Sequence, residues 1–343
     1  MSSWKKLTQK RLFLPIFSMI LVMLINVVYD IACGNMPFNF FVITIRNEVL
    51  YGRLIDILNR GSEIAILAIG MTLVVSSSGG TDISVGSVMS LYAGVCCMLL
   101  AGFGNANVSE YHTPLLVGIG AGLLVTLVCG LFNGFLVAYM NIQPMVATLI
   151  LWSAGRAIGL LLCNSQIVYV RVESFQVLGS YVGFMPTPII VAAVCVAVAA
   201  LVLRFTALGT YIQSVGINKR ASRIAGFNSA KIILLCYVAT SRIYSADTNN
   251  IGLNMELDAI LSVALGGNSL GGGRFNLAGS IIGAYTIQAI TTTLYSLGVS
   301  SAQAPVFKAI VVILIVVIQS EPVKAYFKRR NAKKIAAKGA TQA

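Results

Sequence analysis

Eight stretches of this chain are almost unbroken runs of apolar residues, and the polar residues between them come in short, dense clusters. The runs occupy 12–33, 62–76, 85–103, 115–140, 145–163, 187–204, 277–297 and 305–319. A helix needs about 20 mostly apolar residues to cross the hydrocarbon of a bilayer, so these runs read as membrane helices. Two further apolar stretches, 231–240 and 256–267, are too short to span comfortably. The pattern predicts an all-α, polytopic membrane helix bundle. Glycines recur four apart at Gly118 and Gly122, Gly130 and Gly134, Gly155 and Gly159, and Gly279 and Gly283. That spacing lets helices approach closely but says nothing about cargo. The segment 46–60 mixes Arg46, Arg53, Arg60, Glu48 and Asp56 with apolar residues. It reads as a short amphipathic helix along the outer interface or as a solvated loop.

Composition agrees with the pattern. The chain has 343 residues, is 57% hydrophobic and 10% charged, and has a mean hydropathy of +0.86; soluble domains carry roughly 25% charged residues. The net charge of +13 does not point to nucleic acid, because a basic binding face would not come with so many long apolar runs. Ten of the chain's eleven lysines fall in the N-terminal tail, in 219–231 and in the C-terminal tail. The positive-inside rule places all three in the cytoplasm. The expected organisation is a tail over 1–11, one transmembrane domain over 12–320 with a cytoplasmic segment over 205–230, and a basic tail over 321–343. With both ends inside, crossings are even in number, eight or ten, so the two short stretches both cross or both fail to. The loops 104–114 and 164–186 carry between them a single basic residue, Arg171, and read as external. The first run is too long for a cleaved signal and lacks a cleavage site, so it is expected to be retained.

Candidate chemistry is sparse. Six of the seven cysteines sit inside apolar runs without paired spacing and read as packing residues. His112 is the sole histidine and lies in a loop, which disfavours a Ser/His/Asp triad or a histidine metal site. No GxxxxGK[ST] motif occurs, so neither glycine cluster is a nucleotide site and any pumping energy comes from another subunit. The notable stretch is "GMTLVVSSSGGTDISVGS" over 70–87, where a span is interrupted over 76–81, beside Asp82. A helix break in a bilayer survives only where protein or a watery cavity surrounds it. This one therefore lines a pathway, or it is a turn at the cytoplasmic surface. A second stretch of like grammar, "LGGNSLGGGRFNLAGS" over 265–280, contains Gly266, Gly267 and Arg274. Two interrupted segments in the two halves of a chain point to a transporter's central path. Arg156 and Asp258 are further charges within apolar surroundings. They line the path, or they pair with each other or with backbone carbonyls.

Four segments carry a resemblance to a known family: "AILAIGMTLVVSSSGGTDISVGSVMSL", "LFNGFLVAYMNIQPMVATLILWSAGR", "ALGTYIQSVGINKRASRIAGFNSAKI" and "ELDAILSVALGGNSLGGGRFNLAGSIIGA". In this order, over about 52–320, the chain resembles the permease subunits of bacterial ribose/galactose-type ABC sugar importers. "YGRLIDILNR", "ADTNNIGL" and "GGGRFN" are most similar to the galactofuranose-type members. The resemblance implies about ten membrane helices, a location in the inner membrane, and alternating access driven by a cytoplasmic ABC ATPase. It also implies a second permease subunit, homologous or identical, and a periplasmic sugar-binding protein. ATP would be bound by the partner, and this chain would carry no cofactor and no catalytic residue. The resemblance places Gly79, Gly80, Asp82, Ser84 and Gly86 beside the sugar path, with Asn133 and Gly134 ahead of an inner loop. It implies that 209–226, with Gly209, Gly216, Asn218, Arg220, Ala221 and Gly226, docks on the ATPase.

One departure stands out. After "KIILLCYVAT" the family continues its helix, whereas here Thr240 joins Ser241 directly, so roughly a dozen residues of a full span are absent. The helix from Lys231 to Thr240 would reach only about 15 Å. A transport-inactive subunit is therefore one alternative reading, and an ion-coupled secondary transporter is another. A helix that still crosses would expose Ser245 outside, and an inner hairpin would not. With Ser245→Cys as the single cysteine, labelling of intact cells by an impermeant thiol reagent is expected if the helix crosses, and its absence indicates the hairpin.

Overall fold

The computed structural model describes residues 12–32, 39–46, 49–177, 179–239, 252–300 and 302–319. Thirteen α-helices lie among them. They are α1 (Phe13–Ala32), α2 (Arg53–Ser78), α3 (Val85–Ala101), α4 (Leu115–Ala138), α5 (Pro144–Leu162), α6 (Glu173–Gln176), α7 (Thr187–Phe205), α8 (Leu208–Ile217), α9 (Lys219–Ile224), α10 (Ser229–Ala239), α11 (Met255–Leu265), α12 (Leu277–Ser296) and α13 (Ala304–Gln319). Six of the described helices are long and apolar enough to cross a membrane, and α3 is a shorter apolar helix. The apolar runs read from the sequence thus match helices to within a few residues, with one exception.

The exception is the segment 46–60. Thr44–Arg46 (β1) and Val49–Tyr51 (β2) form an antiparallel pair with Thr44 opposite Tyr51. Arg53 then opens α2, which runs for 26 residues, about 39 Å at 1.5 Å per residue. Within the charged segment, 53–60 is not a separate short helix: it is the first part of the long helix whose later part reads as the span 62–76. The reason is local: Ile55 and Ile57 are already buried, and Arg53 donates to Asp30 of α1 at 2.9 Å. The charge is neutralised where the helix enters.

α2 is the central element. It packs against α7, α8, α10 and α11, and its Ile64, Ala65 and Ala68 meet Ala284 of α12. α3 lies against α4 and α5, and α4 also packs on α10. The small-residue spacing on α5 is used at α3: a carbon added at Gly159 would lie 3.0 Å from the Ser90 carbonyl oxygen. Such backbone-to-backbone approach suits helices that gain little from apolar burial in lipid. Of the described cysteines, Cys96, Cys97, Cys129, Cys163 and Cys236 are buried thiols, and Cys195 is half-buried.

The two short stretches are helices of 11 residues each, α10 and α11, each about 16 Å long. The Thr240–Ser241 junction, Ser245 and both tails lie outside the described residues. The two loops read as external hold each other: Asn107–Val108 (β3) pairs in parallel with Tyr169–Val170 (β4), and Tyr111 Oη lies 2.7 Å from Ser174 Oγ. Tyr181–Val182 (β5) and Met185–Pro186 (β6) form a small hairpin before α7. By compactness the chain divides between Thr292 and Thr293. The second unit holds the end of α12, a turn in which Val299 N donates to Leu294 O at 3.0 Å, and α13.

Asp30 has no solvent exposure, and Arg53 is its salt-bridge partner. Removing one member of a buried pair leaves an uncompensated charge, at a cost of about 3 kcal/mol or more. Arg53→Met is therefore expected to lower the thermal unfolding temperature of the purified protein by several degrees, and Asp30→Asn in the same chain to restore most of it.

Candidate functional site

The first interruption is shorter than its sequence suggests. Ser76, Ser77 and Ser78 remain helical, because Ser77 Oγ and Ser78 Oγ donate back to Val74 O at 3.1 and 2.8 Å. The helix stops at Gly79, whose φ of 71° is the left-handed conformation that a glycine C-cap supplies without strain. From there to Ser84 the chain forms neither helix nor strand, and α3 begins at Val85. Gly80 lies on the ring of Pro144, and Ile83 N donates to Thr148 Oγ1 at 3.2 Å. Asp82 is buried, and its Oδ1 accepts from Ser84 N at 2.8 Å and Ser84 Oγ at 2.7 Å. Asn133 of α4 donates through Nδ2 to Ser84 Oγ at 2.9 Å. Asp82, Ser84 and Asn133, singled out separately in the sequence, thus form one hydrogen-bonded chain. Asn133 Oδ1 and the neighbouring Thr81 Oγ1 are buried without a hydrogen-bond partner, which leaves acceptor capacity for a hydroxyl or a water.

The second interruption is organised by Asn268, which the sequence reading did not select. Its Oδ1 accepts from Asn276 N at 2.6 Å, and its Nδ2 donates to Ser280 Oγ at 2.7 Å. Thr72 of α2 donates to the same Ser280 oxygen at 2.7 Å, so a buried polar network ties the second break to the central helix. Gly266 is packed on the backbone at Ser280, and Gly267 turns the chain with a φ of 82°. Arg274 takes part through its main chain: its carbonyl accepts from Ser76 Oγ at 2.9 Å, while its side chain is exposed. Polar residues four to eight apart in a glycine-rich loop carry no periodic signal, which is why Asn268 was passed over.

The two breaks touch each other and a third segment. Gly273 N donates to Ser76 O at 3.2 Å. Gly216, in the last turn of α8, lies so close that any added carbon would overlap the Ser76 carbonyl oxygen. A carbon on Gly272 would lie 2.9 Å from Gly79 Cα and 3.2 Å from Gly216 O. Segments around 79, 216 and 272 therefore meet backbone on backbone.

Beyond Gly216, Asn218 caps α9, its Oδ1 accepting from Arg220 N and Ala221 N at 3.0 Å each. Gly226 ends the hairpin with a φ of 87°, and Gly209 lies near Leu203 and Phe275. The α8–α9 hairpin exposes Ile217 and Ile224, at 70% and 89%, beside the exposed Lys219 and Arg220. Loss of surrounding water, and then the nearby Arg223, hold the Lys219 ammonium below the usual lysine range. A cavity of about 450 Å³ lined by Tyr139, Arg223, Phe227 and Asn228 adjoins the hairpin.

Glu256 is a buried carboxylate whose Oε1 accepts from Trp152 Nε1 at 3.2 Å, and Arg156 and Asp258 lie within electrostatic reach of it. Asp258 is half-buried. The sequence held a signal for Glu256: with Ala259 and Val263, both buried, it shares a helical face that Asp258 does not.

Residues 53–319 match the family described as "Branched-chain amino acid transport system / permease component". The galactofuranose transporter permease of Escherichia coli is 42% identical over 297 positions, covering 82% of this chain and 84% of that protein. Those positions outnumber the residues this chain contributes, so the alignment contains positions that this chain lacks. The fructose import permease of Bifidobacterium longum is 32% identical over 97% of this chain and 95% of its own. The ribose import permease of Escherichia coli is 32% identical over 82% and 88%. No solved structure matches. The family match, the relatives and the six long apolar helices together show that this chain belongs to that family of transport-system permease components and is a multi-pass membrane protein.

Proposed function

We propose that this chain is the permease subunit of an ATP-driven importer and that its cargo is a monosaccharide of the galactofuranose or ribose type. The relatives named for galactofuranose, fructose and ribose support the sugar class. The observation that carries the mechanism is the meeting of Gly79, Gly216 and Gly272. A partner ATPase in the cytoplasm would bear on the 209–226 element, where exposed Ile217 and Ile224 beside Lys219 and Arg220 offer an apolar surface with a basic rim. Because no side chain intervenes at the junction, a displacement of the last turn of α8 is passed directly to both breaks. The bundle then rocks between outward-open and inward-open forms. The sugar moves past Asp82, Ser84 and Asn133, whose neutral partners suit a polyol that must bind weakly enough to leave. On this reading the protein lies in the bacterial inner membrane with both tails in the cytoplasm. It works beside a second permease subunit and receives sugar from a periplasmic binding protein.

The test is uptake of labelled galactofuranose and ribose by cells or vesicles holding this chain with its cognate ATPase, second permease and binding protein. ATP-dependent accumulation is expected. Uptake driven by an ion gradient without the ATPase indicates an ion-coupled carrier instead, and assembly without uptake indicates an inactive subunit. In the working importer, Gly216→Ala inserts a methyl group into the Ser76 carbonyl, an overpacking worth about 1–3 kcal/mol. Uptake is expected to fall about tenfold while the ATPase still co-purifies; unchanged uptake removes the junction from the mechanism.

A further inference from the structure

Trp152 and Glu256 stand just past the first break, and nothing in the path described so far uses them. α5 follows the break along one face. Pro144 packs on Gly80, Thr148 accepts from Ile83 N, and the Trp152 carbonyl accepts from Ser87 Oγ at 2.6 Å. The main chain at Trp152 is thereby held at the first turn of α3. The indole N–H is committed to Glu256 Oε1 at 3.2 Å, yet the residue remains 44% exposed. Glu256 is only 7% exposed, and its Oε2 is buried with no hydrogen-bond partner.

The surroundings of that oxygen are informative. A carbon added at Gly86 would touch both Glu256 Oε2 and the Gly252 carbonyl oxygen. Two acceptors therefore crowd one point above Gly86. Two acceptors cannot bond each other, and a buried polar atom without a partner is costly, so the place calls for a donor. Either Glu256 supplies it from its own carboxyl proton, or a ligand hydroxyl does. The half-open indole beside it favours the ligand: an apolar ring surface next to an unused carboxylate oxygen offers a sugar both a support for its C–H face and an acceptor for its hydroxyls. Beside the oxygen, Gly252 lies against Gly86 backbone on backbone.

We propose that Trp152 and Glu256 form a monosaccharide subsite at the start of α3, in which the indole supports the sugar ring and Glu256 Oε2 accepts its hydroxyls. The subsite rests on the sugar-permease reading above and adds a specific place where the cargo pauses. Its occupant is a neutral sugar and binds weakly, as a translocation site requires.

Trp4 and Trp152 are the only two tryptophans of the chain, so Trp4→Phe makes Trp152 the sole indole reporter. The full-length W4F protein in lipid nanodiscs is titrated with D-ribose and with methyl galactofuranoside, with glycine betaine at matched osmolality as the non-sugar control. A saturable change in indole emission at millimolar sugar is expected, and Glu256→Gln in the same background is expected to weaken it about tenfold. Emission that ignores both sugars overturns the subsite, and this titration stands alone if the Gln variant does not fold. A change that E256Q leaves unaltered also overturns it, since Gln reproduces the donor of a protonated Glu256 serving only as a structural contact. Uptake by the complete importer separates the two readings. Uptake without an emission change sinks the subsite and spares the permease function, whereas no uptake of either sugar sinks the reading beneath it.

Discussion

One carbonyl, that of Ser76, sets the terms for much of this structure. At the last turn of a helix a carbonyl loses its intrahelical partner, and in a medium without water it has to find another within the protein. Gly273 N supplies that partner, while Ser76 Oγ returns a bond to the Arg274 carbonyl. Two breaks about two hundred residues apart in sequence thereby satisfy each other. The price of this arrangement is space: main chains at bonding distance leave no room for a Cβ, which is why glycine stands at 79, 216 and 272. The hydrogen-bonding demand of the bilayer and the small-residue clusters are one constraint seen twice.

Charge is handled by a related rule. The few carboxylates inside the bundle are held in different ways. Asp30 has a guanidinium partner on one oxygen, Asp82 is held by the hydroxyl and amide of Ser84, and Glu256 is held by an indole. An ion paired with a guanidinium is costly to disturb and suits a fixed joint. A carboxylate tied to short neutral donors keeps more freedom to exchange partners. The first lies where α1 meets the entry of α2, and the other two flank the first break.

The helical plan was legible in the sequence because apolar runs with sharp polar ends leave little choice once lipid is the solvent. The two interruptions, which the structure places at 79–84 and 266–276, were legible for the same reason. The charged turn around Arg53 was misread because its neutralising partner, Asp30, is 23 positions away, and no local pattern reveals such a pair. Glu256 and Asp258 were indistinguishable by composition and differ only in the face they occupy. Asn268 was hidden because its partners are a loop backbone and a hydroxyl on the far side of that loop. That 79, 216 and 272 would converge was beyond any reading of spacing, since contacts across the chain are set by packing.

The short parallel pair of β3 with β4 bears on how the molecule is assembled. Asn107 lies opposite Tyr169, and all of α4 and α5 lie between them. Closing so long a loop early would carry an entropic cost that two strand residues on each side do not repay. The pair is therefore expected to form only after the two helices between its strands have been inserted side by side, as a late clasp that records correct insertion rather than directing it.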